Sequence, residues 1–228
     1  WEEKTGSRTG LSAVFKSRAA SCIERAHWDS SLAFLEKAAE YIKDTGMKSV
    51  LCEISLMRAR IFLELEKNDE AETVFSEVLV TSRHIGDKSS ETRCLINLAI
   101  TASRKSDLDK AMVLYTDALQ LAEKTGDLYC LARAYNNSGH VYMKKKEFDA
   151  AYDCFLKSVS AAEKIHDQGL ILYCFRNIGN IFRERGEYAC ALEYYRKSLG
   201  IAEYIRNRKE ADAAGALISQ AESFLNRV

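Results

Sequence analysis

The chain contains no proline and only 11 glycines in 228 residues. Proline marks loops in most folds and is excluded from helix interiors, so its absence predicts a protein that is helical almost from end to end. Long apolar runs are also missing, since no stretch approaches the ~20 consecutive apolar residues that a membrane-spanning helix needs. The start of the chain lacks the apolar centre of a signal peptide, and Trp1 in place of Met indicates a piece of a longer protein.

A surplus of one charge is absent as well. The 33 Lys and Arg residues balance the 33 Asp and Glu residues, so the sum indicates neither a basic nucleic-acid module nor an acidic tail. Hydrophobic residues make up 47% of the chain and charged residues 29%, which is the balance of a soluble protein that forms a core.

Patterns for metal binding and catalysis are missing too. None of the seven cysteines forms a C-x-x-C pair, and the four histidines lie too far apart for a zinc-binding cluster. We therefore expect no metal and no cofactor, and reduced, half-buried cysteines that pack as small apolar side chains in a cytosolic protein. No nucleophile with its base, glycine-rich phosphate loop or carboxylate pair is recognisable, which predicts that the protein is not an enzyme.

An internal repeat organises the sequence. Gly46, Gly86 and Gly126 mark a 40-residue step, and the same step reaches His166 and Arg206. A second pattern repeats at the same step: a small residue, a large residue four positions later, and a small residue three positions after that. The five sets are Ser31–Leu35–Ala38, Ala71–Phe75–Val78, Ala111–Tyr115–Ala118, Ala151–Phe155–Ser158 and Ala191–Tyr195–Ser198. Spacings of four and three lie on one face of a helix, so this half of each unit is predicted to be a closely packed helix.

The other half of each unit carries a second stripe of small residues, at Ala19, Ala59, Ala99, Gly139 and Gly179. Each unit is therefore predicted to be a helical hairpin. Gly46, Gly86 and Gly126 are expected to end the second helices in a left-handed conformation. Asp107 or Asp109, and Asp149, are candidates for capping the helices that follow them.

These residues resemble the tetratricopeptide repeat, most clearly in the stretch Asn177-Ile178-Gly179-Asn180-Ile181-Phe182, followed by Gly186-Glu187-Tyr188, Ala191, Tyr195 and Ser198. The usual period of that repeat is about 34 residues. Here the step is longer and the proline that commonly ends the second helix is absent, which a longer second helix would explain. Repeats with this longer step are similar to those of LGN (Pins), which residues 131–140 resemble most.

The resemblance implies an all-α fold, a right-handed α-solenoid of about five tetratricopeptide-like hairpins, in one domain that spans residues 1–228. The repeats are expected at about 8–47, 48–87, 88–127, 128–167 and 168–207. A capping helix is expected at 208–228, since the ends of a solenoid need a polar cover.

Proteins of this family bind partners on the concave wall that the first helices form, and the resemblance implies which residues line it. The groove positions that the family implies include Ile100 and Lys144. Asn136 and Arg176 lie next to these positions in the sequence. The cations among them, with no carboxylate, imply a basic groove that binds an acidic, extended or partly helical segment of another protein. The candidate partner-binding residues are Arg93, Asn97, Arg104, Arg133, Asn137, His140, Tyr173, Asn177, Asn180 and Arg183.

Three of these residues, Asn97, Asn137 and Asn177, recur at the repeat step and are called the Asn ladder below. An amide both donates and accepts hydrogen bonds, so the Asn ladder is predicted to hold the main chain of a bound peptide, with Arg93 and Arg133 binding its carboxylates. The alternative is that the Asn ladder bonds neighbouring helices and stabilises the repeat. The first two units lack this pattern, and there Leu56, Met57 and Leu63 are a candidate apolar binding surface.

The resemblance therefore implies a non-catalytic protein–protein interaction scaffold. Relatives of this repeat type lead us to expect a cytoplasmic protein, with association with the cytoskeleton as a further expectation, and no membrane partner. One alternative is a regulatory or sensor domain that controls an attached effector. RNA binding by a helical repeat is the other, and it is disfavoured because the chain is neutral and Tyr173 alone offers a planar ring on the implied groove.

Overall fold

The computed structural model describes the backbone of residues 2–225 and the side chains of residues 7–225. Within this part of the chain there are eleven α-helices and no strand, which confirms the all-α fold. From α3 onward the odd-numbered helices begin at the repeat step that the sequence shows. The helices are α1 (Glu2–Glu24), α2 (Trp28–Ile42), α3 (Lys48–Glu64), α4 (Asn68–Ile85), α5 (Lys88–Arg104), α6 (Leu108–Thr125), α7 (Leu128–Lys145), α8 (Phe148–Lys164), α9 (Gln168–Glu184), α10 (Tyr188–Tyr204) and α11 (Arg208–Leu225).

A residue with positive φ follows each of the first ten helices. Glycine fills four of these positions, including Gly46, Gly86 and Gly126 as expected, while the others are Ala26, Glu66, Ser106, Lys146, His166 and Arg206. At nine of these ten turns the amide of the next residue donates back to the last turn of the helix, as from Asp87 to the carbonyl oxygen of Ser82 at 2.9 Å. This left-handed cap satisfies carbonyl groups that the helix end leaves open and starts the next helix after only a few residues.

Aspartates begin the helices at the same step. The carboxylates of Asp87, Asp127 and Asp167 each accept a hydrogen bond of 2.9 to 3.0 Å from the amide three residues later. Asp107 caps α6 in the same way. Asp149 does not cap α8, contrary to expectation, because it lies in the first turn of that helix and pairs with Arg185.

The chain divides into two compact units, residues 1–114 and 115–228. In the first unit α1 packs on α2, α2 on α3, α3 on α4 and α4 on α5, and α3 also contacts α5. In the second unit α7 packs on α8, α8 on α9, α9 on α10 and α10 on α11, and α7 also contacts α9. Packing between helices that follow one another in sequence is the pattern of a helical repeat of the α-solenoid class. The single domain over residues 1–228 and its repeat boundaries stay a prediction.

The small–large–small positions of the repeat form the cores of these units. The large members are at most 1% exposed: Leu35, Phe75, Tyr115, Phe155 and Tyr195. Serines at the small positions bond the facing helix, as when the hydroxyl of Ser158 donates to the carbonyl oxygen of Ala132 at 2.8 Å. Six of the seven cysteines are buried or half-buried, as expected. Cys190 is exposed and departs from the expected packing.

Candidate functional site

In the second unit, α7 and α9 bring three predicted site residues together: Asn137, His140 and Asn177. The amide nitrogen of Asn177 lies 3.1 Å from Nε2 of His140 and 3.4 Å from Oδ1 of Asn136. Asn136 donates in turn to Oδ1 of Asn137 at 3.3 Å. These four side chains, called the polar network below, form one line of hydrogen bonds across two helices.

The members of the Asn ladder differ in what they do inside the protein. Asn177 is 8% exposed, and its amide nitrogen joins α9 to α7. Asn97 donates to the carbonyl oxygen of Arg93 in its own helix at 2.7 Å. Asn137 is half-buried, and its amide nitrogen has no acceptor among the described residues. Asn137 is therefore the member with donors available to a partner, whereas Asn177 and Asn97 contribute to structure.

His140 is held in the neutral state at one end of the polar network. Because its Nε2 accepts from Asn177, Nδ1 carries the ring hydrogen and is a donor. Loss of water around the ring, followed by the charges of Lys144 and Arg176, lowers the pKa of His140 below its ordinary value of 6.5. The His140 side chain is nevertheless exposed, so solvent screens these effects. At neutral pH His140 thus offers a donor without a charge.

Arg133 lies one turn before Asn137 on α7. Its guanidinium carbon is 5.5 Å from the ring centroid of Tyr129, and Nη1 donates to the Tyr129 hydroxyl at 3.3 Å. No described carboxylate forms an ion pair with Arg133, which is half-buried. Its charge is therefore positioned by an aromatic ring and is not paired with a described carboxylate.

Tyr173 and Arg176 lie on α9 beside the polar network, and both contact Glu210 of α11. Arg176 forms an ion pair with Glu210, and the Tyr173 hydroxyl lies 3.4 Å from the second carboxylate oxygen. The guanidinium of Arg176 also stands over the ring of Tyr173, 4.9 Å from its centroid. The groove positions implied by the sequence include no carboxylate, and Glu210 of α11 supplies one.

Asn180 and Arg183 continue along α9 without joining the polar network. Oδ1 of Asn180 accepts a 2.9 Å hydrogen bond from the hydroxyl of the buried Tyr195. Arg183 lies 3.0 Å from the neighbouring carboxylate of Glu184. Both side chains thus have contacts within their own hairpin.

In the first unit two of the predicted side chains, Asn97 and Arg104, donate to backbone carbonyl groups. Arg93 supplies the carbonyl that Asn97 bonds, and Arg104 donates to the carbonyl oxygen of Leu63 in the last turn of α3. The proposed apolar surface was wrong, because Leu56 and Leu63 are 0% and 4% exposed and belong to the core. Met57 is half-buried and packs against a core cluster.

The described residues meet few of the requirements of a small-molecule cleft, a metal site or a membrane-spanning helix. A cleft of about 500 Å³ lies in the first unit between α3 and α4, where Cys52, Val80 and His84 are among its lining residues. Within the described residues, no three His, Cys, Asp or Glu side chains are grouped so that they could hold a metal ion. None of the helices that the structure describes is both long and apolar enough to cross a membrane.

Comparison with known families supports a tetratricopeptide repeat. A family model of that description matches residues 130–203, which run from α7 into α10. Tetratricopeptide-like folds generally serve as non-catalytic scaffolds. Among curated proteins, none matches the sequence of this chain.

Solved structures are similar in fold. A Rap protein complexed with Competence and Sporulation Factor has a TM-score of 0.80 at 15% identity, over 93% of this chain and 63% of that one. The Rap conjugation gene regulator of plasmid pLS20, in complex with the Phr* peptide, has a TM-score of 0.76 at 15% identity, over 92% and 61%. A Signal Transduction ATPase with Numerous Domains from Pyrococcus horikoshii, which carries a tetratricopeptide repeat sensor, has a TM-score of 0.75 at 18% identity, over 93% and 34%.

These likenesses concern the fold alone, since the highest of the three identities is 18%. The chain spans between one third and about two thirds of the three proteins. Similarity to the repeats of LGN (Pins) is not addressed by them and stays a prediction.

Proposed function

We propose that the chain is a non-catalytic tetratricopeptide-repeat module that binds an acidic, extended or partly helical segment of a partner protein. The observation that carries the proposal is a stripe on α7, in which Arg133, Asn137, His140 and Lys144 follow one another at spacings of four, three and four. Such spacings place all four side chains on one helix face. One face therefore combines neutral donors with cations.

The neutral donors suit the main chain of a peptide. The Asn137 amide and the Nδ1 hydrogen of His140 can each donate to a carbonyl oxygen, which every peptide offers whatever its sequence. Main-chain contacts of this kind give affinity without selectivity.

The cations supply the preference for acidic sequences. Arg133 is already oriented by Tyr129, so less conformational entropy is lost when its planar fork binds a carboxylate. Because the chain as a whole has no net charge, this preference is local to the α7 face.

Two structural neighbours with bound ligands support ligand binding on this fold. One is solved in complex with the Phr* peptide and the other with Competence and Sporulation Factor. Their ligands belong to those proteins, and the partner proposed here rests on the chemistry of α7.

A second candidate is a sensor domain that controls an attached effector. It is favoured by one neighbour, in which a tetratricopeptide repeat sensor belongs to a signal transduction ATPase. The two functions share ligand binding and differ in what is attached to the domain.

Fluorescence anisotropy with a labelled acidic peptide, its Gln-substituted counterpart and an RNA oligonucleotide tests the proposal. We expect the acidic peptide to bind most tightly and its affinity to fall as salt is raised, because partly exposed charges are screened. Arg133→Ala should weaken binding by ~1.5 to 3 kcal/mol, the usual loss for a charge-assisted hydrogen bond. Lys164→Ala, which removes an exposed cation on α8, is the matched control and should cost ~0 to 1 kcal/mol.

Equal affinity for the acidic and Gln-substituted peptides would contradict the acidic preference. Tighter binding of the oligonucleotide would favour the RNA alternative. Equal losses for Arg133→Ala and Lys164→Ala would remove α7 as the site.

A further inference from the structure

Arg176 and Tyr173 together form a site that can bind a carboxylate, and the carboxylate of Glu210 occupies it. The side chains of Arg176 and Glu210 are 27% and 12% exposed, against 63% and 46% for Arg196 and Glu222, the other pair between this unit's repeats and α11. Two groups converge on Glu210, the Arg176 guanidinium on one oxygen and the Tyr173 hydroxyl on the other. The ring of Tyr173 also fixes Arg176 from one face.

This arrangement adjoins the proposed peptide site. Arg176 precedes Asn177 of the polar network, and its charge is near enough to His140 to lower the pKa of that ring. Tyr173, Arg176 and Asn177 are spaced by three and one along α9, so they border one face of that helix. A peptide on the donors of α7 would have its next side chains near Arg176.

We propose that Tyr173 and Arg176 form the subsite for a carboxylate of the partner, and that Glu210 occupies this subsite until the partner replaces it. The inference rests on the proposed function and adds its regulation: α11 carries an internal competitor for the acidic ligand. The ligand group is a glutamate, an aspartate or a C-terminal carboxylate, since each presents the two oxygens that Glu210 now presents.

The exchange needs little movement. Glu210 lies in the first turn of α11, and its backbone amide is held by Oδ1 of Asn207. Rotation of the Glu210 side chain returns the carboxylate to water near the helix N-terminus, where the helix dipole favours a negative charge. Arg176 meanwhile stays over Tyr173, so the subsite is formed before a ligand arrives.

With an internal competitor, the apparent affinity equals the intrinsic affinity multiplied by the fraction of molecules whose subsite is free. Removing it should therefore tighten binding of an acidic peptide by about five- to tenfold if the subsite is closed in ~80 to 90% of molecules. A peptide without acidic side chains and with an amidated C-terminus should bind equally well in both cases, because it does not use the subsite.

Anisotropy with the acidic peptide tests the competition in the full chain. Glu210→Gln, which keeps the size and removes the charge, should tighten binding about five- to tenfold. Glu210→Asp should give a smaller gain, because the shorter side chain reaches the subsite less well but keeps its charge. Arg176→Gln should weaken binding, and adding Glu210→Gln to it should give no gain. Glu222 lies on α11 as Glu210 does, and Glu222→Gln breaks its exposed pair with Arg196 of α10. This variant is the matched control and should leave the affinity unchanged.

Each outcome decides the question. Unchanged or weaker binding by Glu210→Gln overturns the inference and leaves the proposed function standing, provided that Arg133→Ala still weakens the peptide. An equal gain from Glu222→Gln also overturns it, because loosening of α11 would then be the cause. Absence of binding to the wild type and to Glu210→Gln alike, at every salt concentration, overturns both proposals, since in Glu210→Gln no competitor remains.

Discussion

Gly179 on α9 lies against the ring of Tyr195 on α10, so closely that a Cβ atom at Gly179 would stand 2.5 Å from ring carbon Cε1. The ring has no room to move, because Tyr195 is fully buried and its hydroxyl is bonded to Asn180. Gly139 and Phe155 repeat the relationship one hairpin earlier, at 2.7 Å. At these two positions glycine is required for the close approach of two helices.

Gly179→Ala should therefore destabilise the protein although alanine is the better helix former. Overpacking of a rigid core typically costs ~1 to 3 kcal/mol. Gly200→Ala is the matched control, because a Cβ atom there meets nothing within 4 Å, and it should stabilise by ~0.5 to 1 kcal/mol. Urea denaturation followed by circular dichroism measures both, and effects of the same sign would refute this account.

Two substitutions at left-handed helix ends should change the stability of the protein in opposite directions. Gly126 and His166 occupy equivalent turns with φ of 69° and 56°. A side chain in this conformation costs ~1 to 2 kcal/mol, so Gly126→Ala should destabilise by about that amount. His166→Gly should stabilise, by less than ~1 kcal/mol, because glycine also gains freedom in the unfolded chain. Thermal melting at fixed pH is sufficient, and destabilisation by His166→Gly would contradict the strain.

The repeat was predictable because it is recorded in residue size. Tyr115, Phe155 and Tyr195 fall at the repeat step and are buried, and Phe155 and Tyr195 lie against a glycine of the preceding helix. The turns follow the same step even where glycine is lost, as at His166 and Arg206. The packing of these helices depends on which residues share a helix face, and the periodicity of the sequence shows which residues those are.

The polar contacts were not predictable in the same way. The pairing of Glu210 with Arg176 depends on side-chain conformations and on a helix that follows the repeat. Asn97 and Asn177 occupy equivalent positions, yet one bonds its own helix and the other bonds α7. The register did offer one signal, because α11 begins one repeat step after α9 and so brings its first turn next to that helix.

His140 should titrate below its ordinary value, because loss of water around the ring and two nearby cations lower its pKa. NMR of the ring protons measures this directly. Arg176→Gln removes one of the cations and should raise the titration midpoint. Arg196→Gln, on an exposed side chain of α10 outside the groups that act on His140, should leave it unchanged. A midpoint above the ordinary value of 6.5 in the wild type would contradict the neutral ring.

The same group makes stability depend on pH. Unfolded chains protonate this histidine near pH 6.5, whereas the folded protein resists protonation. The contribution of the neutral ring is therefore present above pH 6.5 and is lost as the pH falls through the lower, folded-state pKa. Urea midpoints above and below pH 6.5, at about pH 7.5 and about pH 5.5, should differ more for the wild type than for His140→Gln. An equal difference would show that His140 is not the responsible group.

Asn137 and Asn177 separate ligand binding from structure within one polar network. Asn177→Ala removes a buried amide that joins α9 to α7 and leaves His140 and Asn136 without its donor, so it should cost ~1 to 3 kcal/mol of stability. Asn137→Ala loses one 3.3 Å contact and should leave the melting temperature nearly unchanged. The acidic and Gln-substituted peptides should nevertheless both bind Asn137→Ala more weakly, and by a similar factor, because main-chain contacts carry no sequence information. Full affinity in Asn137→Ala, measured on folded protein, would exclude Asn137 from the site and leave the Asn ladder with a structural role alone.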